Sequence, residues 1–267
     1  MFRNSYLSEV VSLLRNHRQA THGVFQHYPS CGSSVSDIFV GRGGDFSTVF
    51  HGENTLALVL GEAVPVRHSL IFVDIFGSIS HVERIESSDF RFSHDISLRD
   101  HEIFSFIHLT DYSSKDLRQL SSDQRLTSRN HRGYTGYRFR GSTMESVMHG
   151  NFGLVYLNTK GQLRSLARQR SIHRYSVQEI FSRDFRYELY FSNPTGRPLR
   201  VDVDALDSKG LVTYSETAQI PPFGAWIFCP SKEQTSSYFS WCTRLPVGRC
   251  AIFELSDSKS TCNVFHS

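Results

Sequence analysis

Residues 185–228 constrain the fold more than any other stretch of the 267-residue chain. Phe185, Tyr187, Leu189 and Phe191 occupy alternate positions, and Leu199, Val201 and Val203 alternate with Arg200, Asp202 and Asp204. Alternation of this kind sends successive side chains to opposite faces of a strand, so the apolar set must be buried against a second layer. The runs are punctuated by Asn193-Pro194-Thr195-Gly196, Asp207-Ser208-Lys209-Gly210 and Pro221-Pro222-Phe223-Gly224, whose residue types suit tight turns. Leu211 to Ile220 and Ala225 to Phe228 continue the series. Strands at this spacing predict antiparallel sandwich architecture rather than a doubly wound α/β fold.

The first half repeats the rhythm less clearly. Leu56 to Leu60, Leu70 to Phe76, Ile79 to Ile85 and Ile103 to Leu109 are expected strands, with Arg249 to Leu255 as a late addition. Leu7, Val10, Val11 and Leu14 share one helical face and predict a short amphipathic N-terminal helix, while Ser114 to Leu120 reads as one or two helical turns. Two internal echoes accompany this pattern. At an offset of 98, Arg42, Gly43, Val49, His51, Gly52 and Leu56 match Arg140, Gly141, Val147, His149, Gly150 and Leu154. At an offset of 133, Leu56, Pro65, Arg67, Asp74, Gly77, Glu83 and Phe90 match Leu189, Pro198, Arg200, Asp207, Gly210, Glu216 and Phe223.

The expected fold is therefore mainly β, with two tandem antiparallel sandwich-like modules behind the N-terminal helix. The divisions read as 1–20 for the helix, 21–115 for the first module, 116–130 for a linker and 131–267 for a second module carrying a basic insertion. One continuous β domain with accidental matches is the competing architecture.

Charge is distributed unevenly. Ten basic residues lie between Arg125 and Arg174 against one acid, Glu145, so this segment carries +9 and the remaining 19 basic and 25 acidic residues carry −6. Such a segment concentrates anions locally, or it neutralises the acidic remainder across an internal or subunit interface. Tyr134, Tyr137, Phe139 and Phe152 are interleaved with the arginines, as in single-strand binders, but no RNP, KH or zinc-finger signature accompanies them. The candidate ligand-binding residues are Arg42, His51, Arg138, Arg140, His149, Asn151, Arg164 and Arg168. In each echoed corner, histidine and the upstream arginine either face a polar ligand or the histidine bonds its own loop while glycine supplies a positive φ.

Other chemistries find less support. Thirteen histidines include no H-x-H or H-E-x-x-H pair, and five cysteines lack a close C-x-x-C pair, so no metal or cofactor is assigned. The cysteines are expected as reduced, buried thiols. Gly41-Arg42-Gly43-Gly44 lacks the order and following lysine of a phosphate loop, and no G-x-S-x-G elbow occurs. Asp202, Asp204 and Asp207 read as a solvated strand face. No apolar run approaches the roughly 20 residues of a membrane-spanning helix, and the opening residues lack a secretory core, which points to the cytoplasm. The leading expectation is a non-catalytic binding or assembly protein engaging an anionic polymer or acidic protein surface, with homo-oligomerisation an open question. The alternative is an enzyme with a histidine-centred site on a β scaffold, built on His51 or His149 and working either with a metal or by acid–base chemistry alone.

Overall fold

The structure is a computed structural model that describes residues 36–96, 103–111, 133–139, 142–158, 160–177, 181–234, 237–245, 248–256 and 262–266. The expected N-terminal helix, the turns at Ser114–Leu120 and Arg140 lie outside these residues.

Four antiparallel sheets contain nearly all of the regular structure. Sheet I holds β2 (Phe46–Glu53), β5 (Arg91–Ile96), β7 (Tyr134–Phe139) and β8 (Ser146–His149), in the order β5-β2-β7-β8. Sheet II joins β1 (Ser36–Arg42), β3 (Val66–Val73), β4 (Ile79–Ser87), β6 (Ile103–Asp111), β9 (Asn151–Leu157) and β10 (Leu163–Ser165), in the order β10-β9-β1-β6-β3-β4. Sheet III holds β12 (Phe185–Ser192), β15 (Ala225–Phe228), β17 (Ala251–Ser256) and β18 (Cys262–His266), in the order β15-β12-β17-β18. Sheet IV holds β11 (His173–Ser176), β13 (Leu199–Leu206), β14 (Val212–Ile220) and β16 (Tyr238–Thr243), in the order β11-β16-β13-β14.

Phe39, Phe50, Leu70, Phe72, Phe104 and Phe106 fill the space between sheets I and II. Tyr187, Leu189, Phe191, Val201, Val203, Phe239 and Trp241 do the same between sheets III and IV. The chain thus forms two sandwiches, each built from the one-sided apolar faces that alternation predicts. The division between them is not at 116–130. Strand β7 pairs with β2 and β9 pairs with β1, so strands through Ser165 complete the first sandwich and those of the second begin at His173.

Strands β1 to β8 and β11 to β18 have the same order in their sheets, apart from the added β9 and β10. The offset of 133 is structural in the β3–β4 and β13–β14 hairpins. Their registers run from Val66↔Ser87 to Val73↔Ile79 and from Leu199↔Ile220 to Leu206↔Val212, with a shift at the same position. In the turns, Asp74 Oδ1 accepts from the backbone N–H of Phe76 and Ser78, as Asp207 Oδ1 does from Lys209 and Leu211. Gly77 and Gly210 close them at φ 88° and 80°, where a side chain would be strained. Fully buried Asn54 and Asn193 anchor the two hairpins alike, donating to the carbonyls of Ser87 and Ile220 respectively.

The offset of 98 has a different meaning. It matches β2 with β8, two strands of one sheet whose topological counterparts are β12 and β18. The Leu56/Leu189 match also fails, because Leu56 lies in helix α1 (Thr55–Leu60), not in a strand. Asn54 caps this helix through Ala57 N–H and Gly61 ends it at φ 76°, a start and stop signal that an apolar run alone conceals.

The sandwiches meet where sheets I and II of the first abut sheet III of the second. Val40, Tyr137 and Met148 pack against Tyr190, Ala251, Phe253 and Val264. At the centre the Arg42 guanidinium forms a two-pronged ion pair with Glu188 and lies 4.7 Å from the Phe46 ring centroid and 5.0 Å from that of Phe253. Ser105 Oγ and Tyr190 Oη are 2.8 Å apart beside it, and burial pushes the Tyr190 phenol above its ordinary range. Only Cys250 is a buried thiol among Cys229, Cys242 and Cys250; burial raises its pKa, whereas Cys229 is exposed and Cys242 only half-buried. No helix among the described residues is long and apolar enough to cross a membrane.

Candidate functional site

The arginines that sequence reading gathered into one segment separate in space. Arg42 is consumed by Glu188 at the joint and is no ligand group. Arg138 lies on sheet I, where its Nη2 donates to Glu145 Oε2 at 3.0 Å. Arg164 in β10 stands opposite Tyr156, on the face of sheet II turned away from the joint, since neighbouring Val155, Leu157 and Leu163 belong to the opposite, buried face. Arg168 follows β10 in the segment that crosses to the second sandwich, and it is exposed.

That crossing segment brings other arginines together. Arg170 N–H donates to Arg244 O at 2.8 Å, and Gln169 Nε2 donates to the carbonyls of Arg197 and Pro198 at 3.1 and 2.9 Å. Asn151, at the start of β9, donates through Nδ2 to Arg249 O at 3.2 Å. Arg168, Arg170, Arg197, Arg244 and Arg249 are all exposed along this seam between the sandwiches. Among the described residues, the guanidinium groups of Arg170, Arg197, Arg244 and Arg249 form no hydrogen bond or ion pair. Sequence reading missed Arg197, Arg244 and Arg249 because they belong to separate loops. A signal was present: residues 146–178, 193–201 and 243–253 contain no aspartate or glutamate.

A narrow cleft opens into the seam. It is lined by Ile38 and Asn151 of the first sandwich and by Phe191, Leu199, Val201, Thr243, Leu245 and Arg249 of the second, and at about 10 Å³ it has room for about one water molecule. Asn151 and Thr243 are 7% and 4% exposed, and neither Asn151 Oδ1 nor Thr243 Oγ1 has a hydrogen-bond partner. Buried polar atoms are otherwise almost always satisfied, so two orphans lining one cleft mark it out.

The histidine corners divide. His51 links β5 to the segment that leads into β8: Nδ1 lies 2.9 Å from Ser93 Oγ and Nε2 lies 2.9 Å from Glu145 Oε1. Glu145 reaches across Gly136, where a Cβ would fall 2.2 Å from its Oε1. His149 Nδ1 is 3.0 Å from Gly150 O, a bond within its own corner. Neither Gly52 nor Gly150 has a positive φ; each is required because a Cβ would strike Phe92 or Phe39. His51 and Arg42 do not share a site, since they occupy different sheets and Arg42 points into the joint.

Two more histidines are buried between sheets I and II. His68 Nδ1 lies 3.0 Å from His108 Nε2 and 3.2 Å from Thr110 Oγ1, while His68 Nε2 has no partner. Burial lowers the His68 pKa from 6.5 to about 4. Asp202 and Asp204 do lie on the solvent face of sheet IV, bonded to Thr217 and Ser215 at 2.7 Å. Partial burial pushes Asp202 upward, but the bonds from Arg200 and Thr217 outweigh it and leave the carboxyl below its ordinary range. Among the described residues, no group of three or more His, Cys, Asp or Glu side chains is arranged to hold a metal ion.

No protein-family model and no curated protein matches the chain. Among solved structures it is similar to the M60 catalytic domain with CBM51-1 and CBM51-2 domains from Clostridium perfringens ZmpB, at 8% identity and a TM-score of 0.19. It is also similar to infectious bursal disease virus Gx strain, at 7% identity and a TM-score of 0.14. Each likeness covers 87% of this chain, which spans 34% and 55% of the respective structures. Neither is close enough to define a shared fold.

Proposed function

We propose that the protein is a non-catalytic binding protein that engages an anionic polymer along the seam between its two sandwiches. The observation that carries this reading is the meeting of three acid-free segments that expose Arg168, Arg170, Arg197, Arg244 and Arg249. The guanidinium groups of Arg170, Arg197, Arg244 and Arg249, unpaired among the described residues, attract anions over a Debye length, and their planar donor sets suit sulfate, phosphate or carboxylate. The test is binding to an immobilised sulfated polysaccharide over a range of salt concentrations. Replacing Arg168, Arg170, Arg244 and Arg249 by Ser abolishes salt-dependent retention; undiminished retention refutes the reading.

A second reading, an enzyme centred on His51, is favoured by the Ser93···His51···Glu145 chain of bonds. It predicts ester hydrolysis that is lost in both Ser93→Ala and His51→Gln. Equal rates in all three proteins dismiss it.

A further inference from the structure

The duplicated architecture exposes a difference at the cleft. In the first sandwich Thr110 of β6 pairs with His68 of β3, and the two side chains are 3.2 Å apart. The topological counterparts in the second sandwich are Thr243 of β16 and Val201 of β13, also paired. Valine is smaller than histidine and offers no polar atom. The Thr243 hydroxyl is therefore left without the partner that its counterpart has, and Val201 lines the cleft where an imidazole would otherwise project.

We infer that this cleft receives a hydroxyl group of an anionic saccharide whose charged groups lie on the seam arginines; the inference rests on the anion-binding reading above. Asn151 Oδ1 can only accept a hydrogen bond, so a bare sulfate, phosphate or carboxylate oxygen is repelled there. Thr243 Oγ1 both donates and accepts. A hydroxyl satisfies both orphans at once, donating to Asn151 and accepting from Thr243. Its small size fits a space that holds about one water, walled by the buried apolar side chains of Ile38, Phe191, Leu199 and Leu245. The seam supplies charge recognition and the cleft supplies a requirement for hydroxyl. Among the described residues the aromatic side chain lining the cleft, Phe191, is 3% exposed and offers no face for a base to stack on, which favours a saccharide over single-stranded nucleic acid.

The test compares the full chain with Thr243→Val and Thr243→Ser, using a heparin-derived sulfated decasaccharide, linear polyphosphate and a deoxyoligonucleotide of similar charge. Thr243→Val weakens decasaccharide binding about fivefold, as expected for one lost hydrogen bond, and Thr243→Ser retains it. Polyphosphate and deoxyoligonucleotide binding are unchanged in both variants, and the thermal midpoint of Thr243→Val does not fall, because an orphan hydroxyl contributes no bond to the free fold. Decasaccharide binding that is equally tight in Thr243→Val overturns the cleft assignment while leaving the seam intact if polyphosphate still binds. An equal loss for all three probes also overturns it. Absence of binding by the unaltered protein to every probe overturns the seam reading itself.

Discussion

Replacing Arg42 with methionine leaves Glu188 at the joint without its buried cation. The two side chains are 9% and 11% exposed, and the guanidinium is held between Phe46 and Phe253 as well as by the carboxylate. Removing one member of a buried pair costs about 3–5 kcal/mol, chiefly because the remaining charge loses compensation. Arg186 retains a 3.2 Å contact with Glu188 and is 55% exposed, which places the expected loss near the lower end, about 3 kcal/mol. That is a large part of the roughly 5–15 kcal/mol that stabilises an ordinary domain. The molecule carries a convenient probe, since both tryptophans, Trp226 and Trp241, lie in the second sandwich. Urea unfolding followed by tryptophan fluorescence therefore reports on that sandwich, and far-ultraviolet circular dichroism reports on both. In Arg42→Met the dichroism transition moves to lower urea and separates from the fluorescence transition. Arg42→Met combined with Glu188→Leu recovers at least half of the loss, because neither charge is then stranded. A loss below about 1 kcal/mol with coincident transitions refutes a joint held by this pair.

Asn193→Ala lowers stability by about 3 kcal/mol in urea unfolding, because the buried amide bridges Arg197 O, Ile220 O and Pro221 O and its Oδ1 accepts from Thr195; a loss below about 1 kcal/mol contradicts this role. Asp74→Ala and Asp207→Ala cost similar amounts, about 1 kcal/mol each, since each removes the same two backbone caps; a strongly unequal pair would show that the turns are not energetically equivalent. His68 makes the first sandwich acid-sensitive. Its folded pKa of about 4 lies below 6.5, so the unfolded chain binds more protons in this window and stability present above pH 6.5 is lost as pH falls towards 4, by about 3 kcal/mol in all. His68→Gln flattens that dependence when urea midpoints are compared at pH 7 and pH 5, and an unchanged slope rules out the assignment.

The hairpins were legible because their physics is local. Alternation at Leu199, Val201 and Val203 and the Asp-x-x-Gly turns specify strand, face and reversal within about twenty residues, and the sandwich follows from burying the apolar face. The helix at Thr55–Leu60 was not legible as such, since Leu56 to Leu60 is uniformly apolar and only Asn54 and Gly61 mark its ends. The module boundary was hidden because β7 and β9 find their partners more than eighty residues away. A similar limit governed the candidate site. Arg168 and Asn151 were recognisable from the basic segment, but Arg197, Arg244 and Arg249 reach the seam only through tertiary contacts. Conversely, Arg42 looked like a ligand residue because the chain gives no sign of Glu188, 146 residues away.

The most direct test of the central proposal is the salt dependence of binding to the sulfated decasaccharide, measured by titration for the unaltered protein and for the variant with Arg168, Arg170, Arg244 and Arg249 replaced by Ser. The seam predicts that the logarithm of affinity falls linearly with the logarithm of salt concentration, and that the slope becomes shallower by about 1 for each arginine removed. A slope that is the same in both proteins contradicts it.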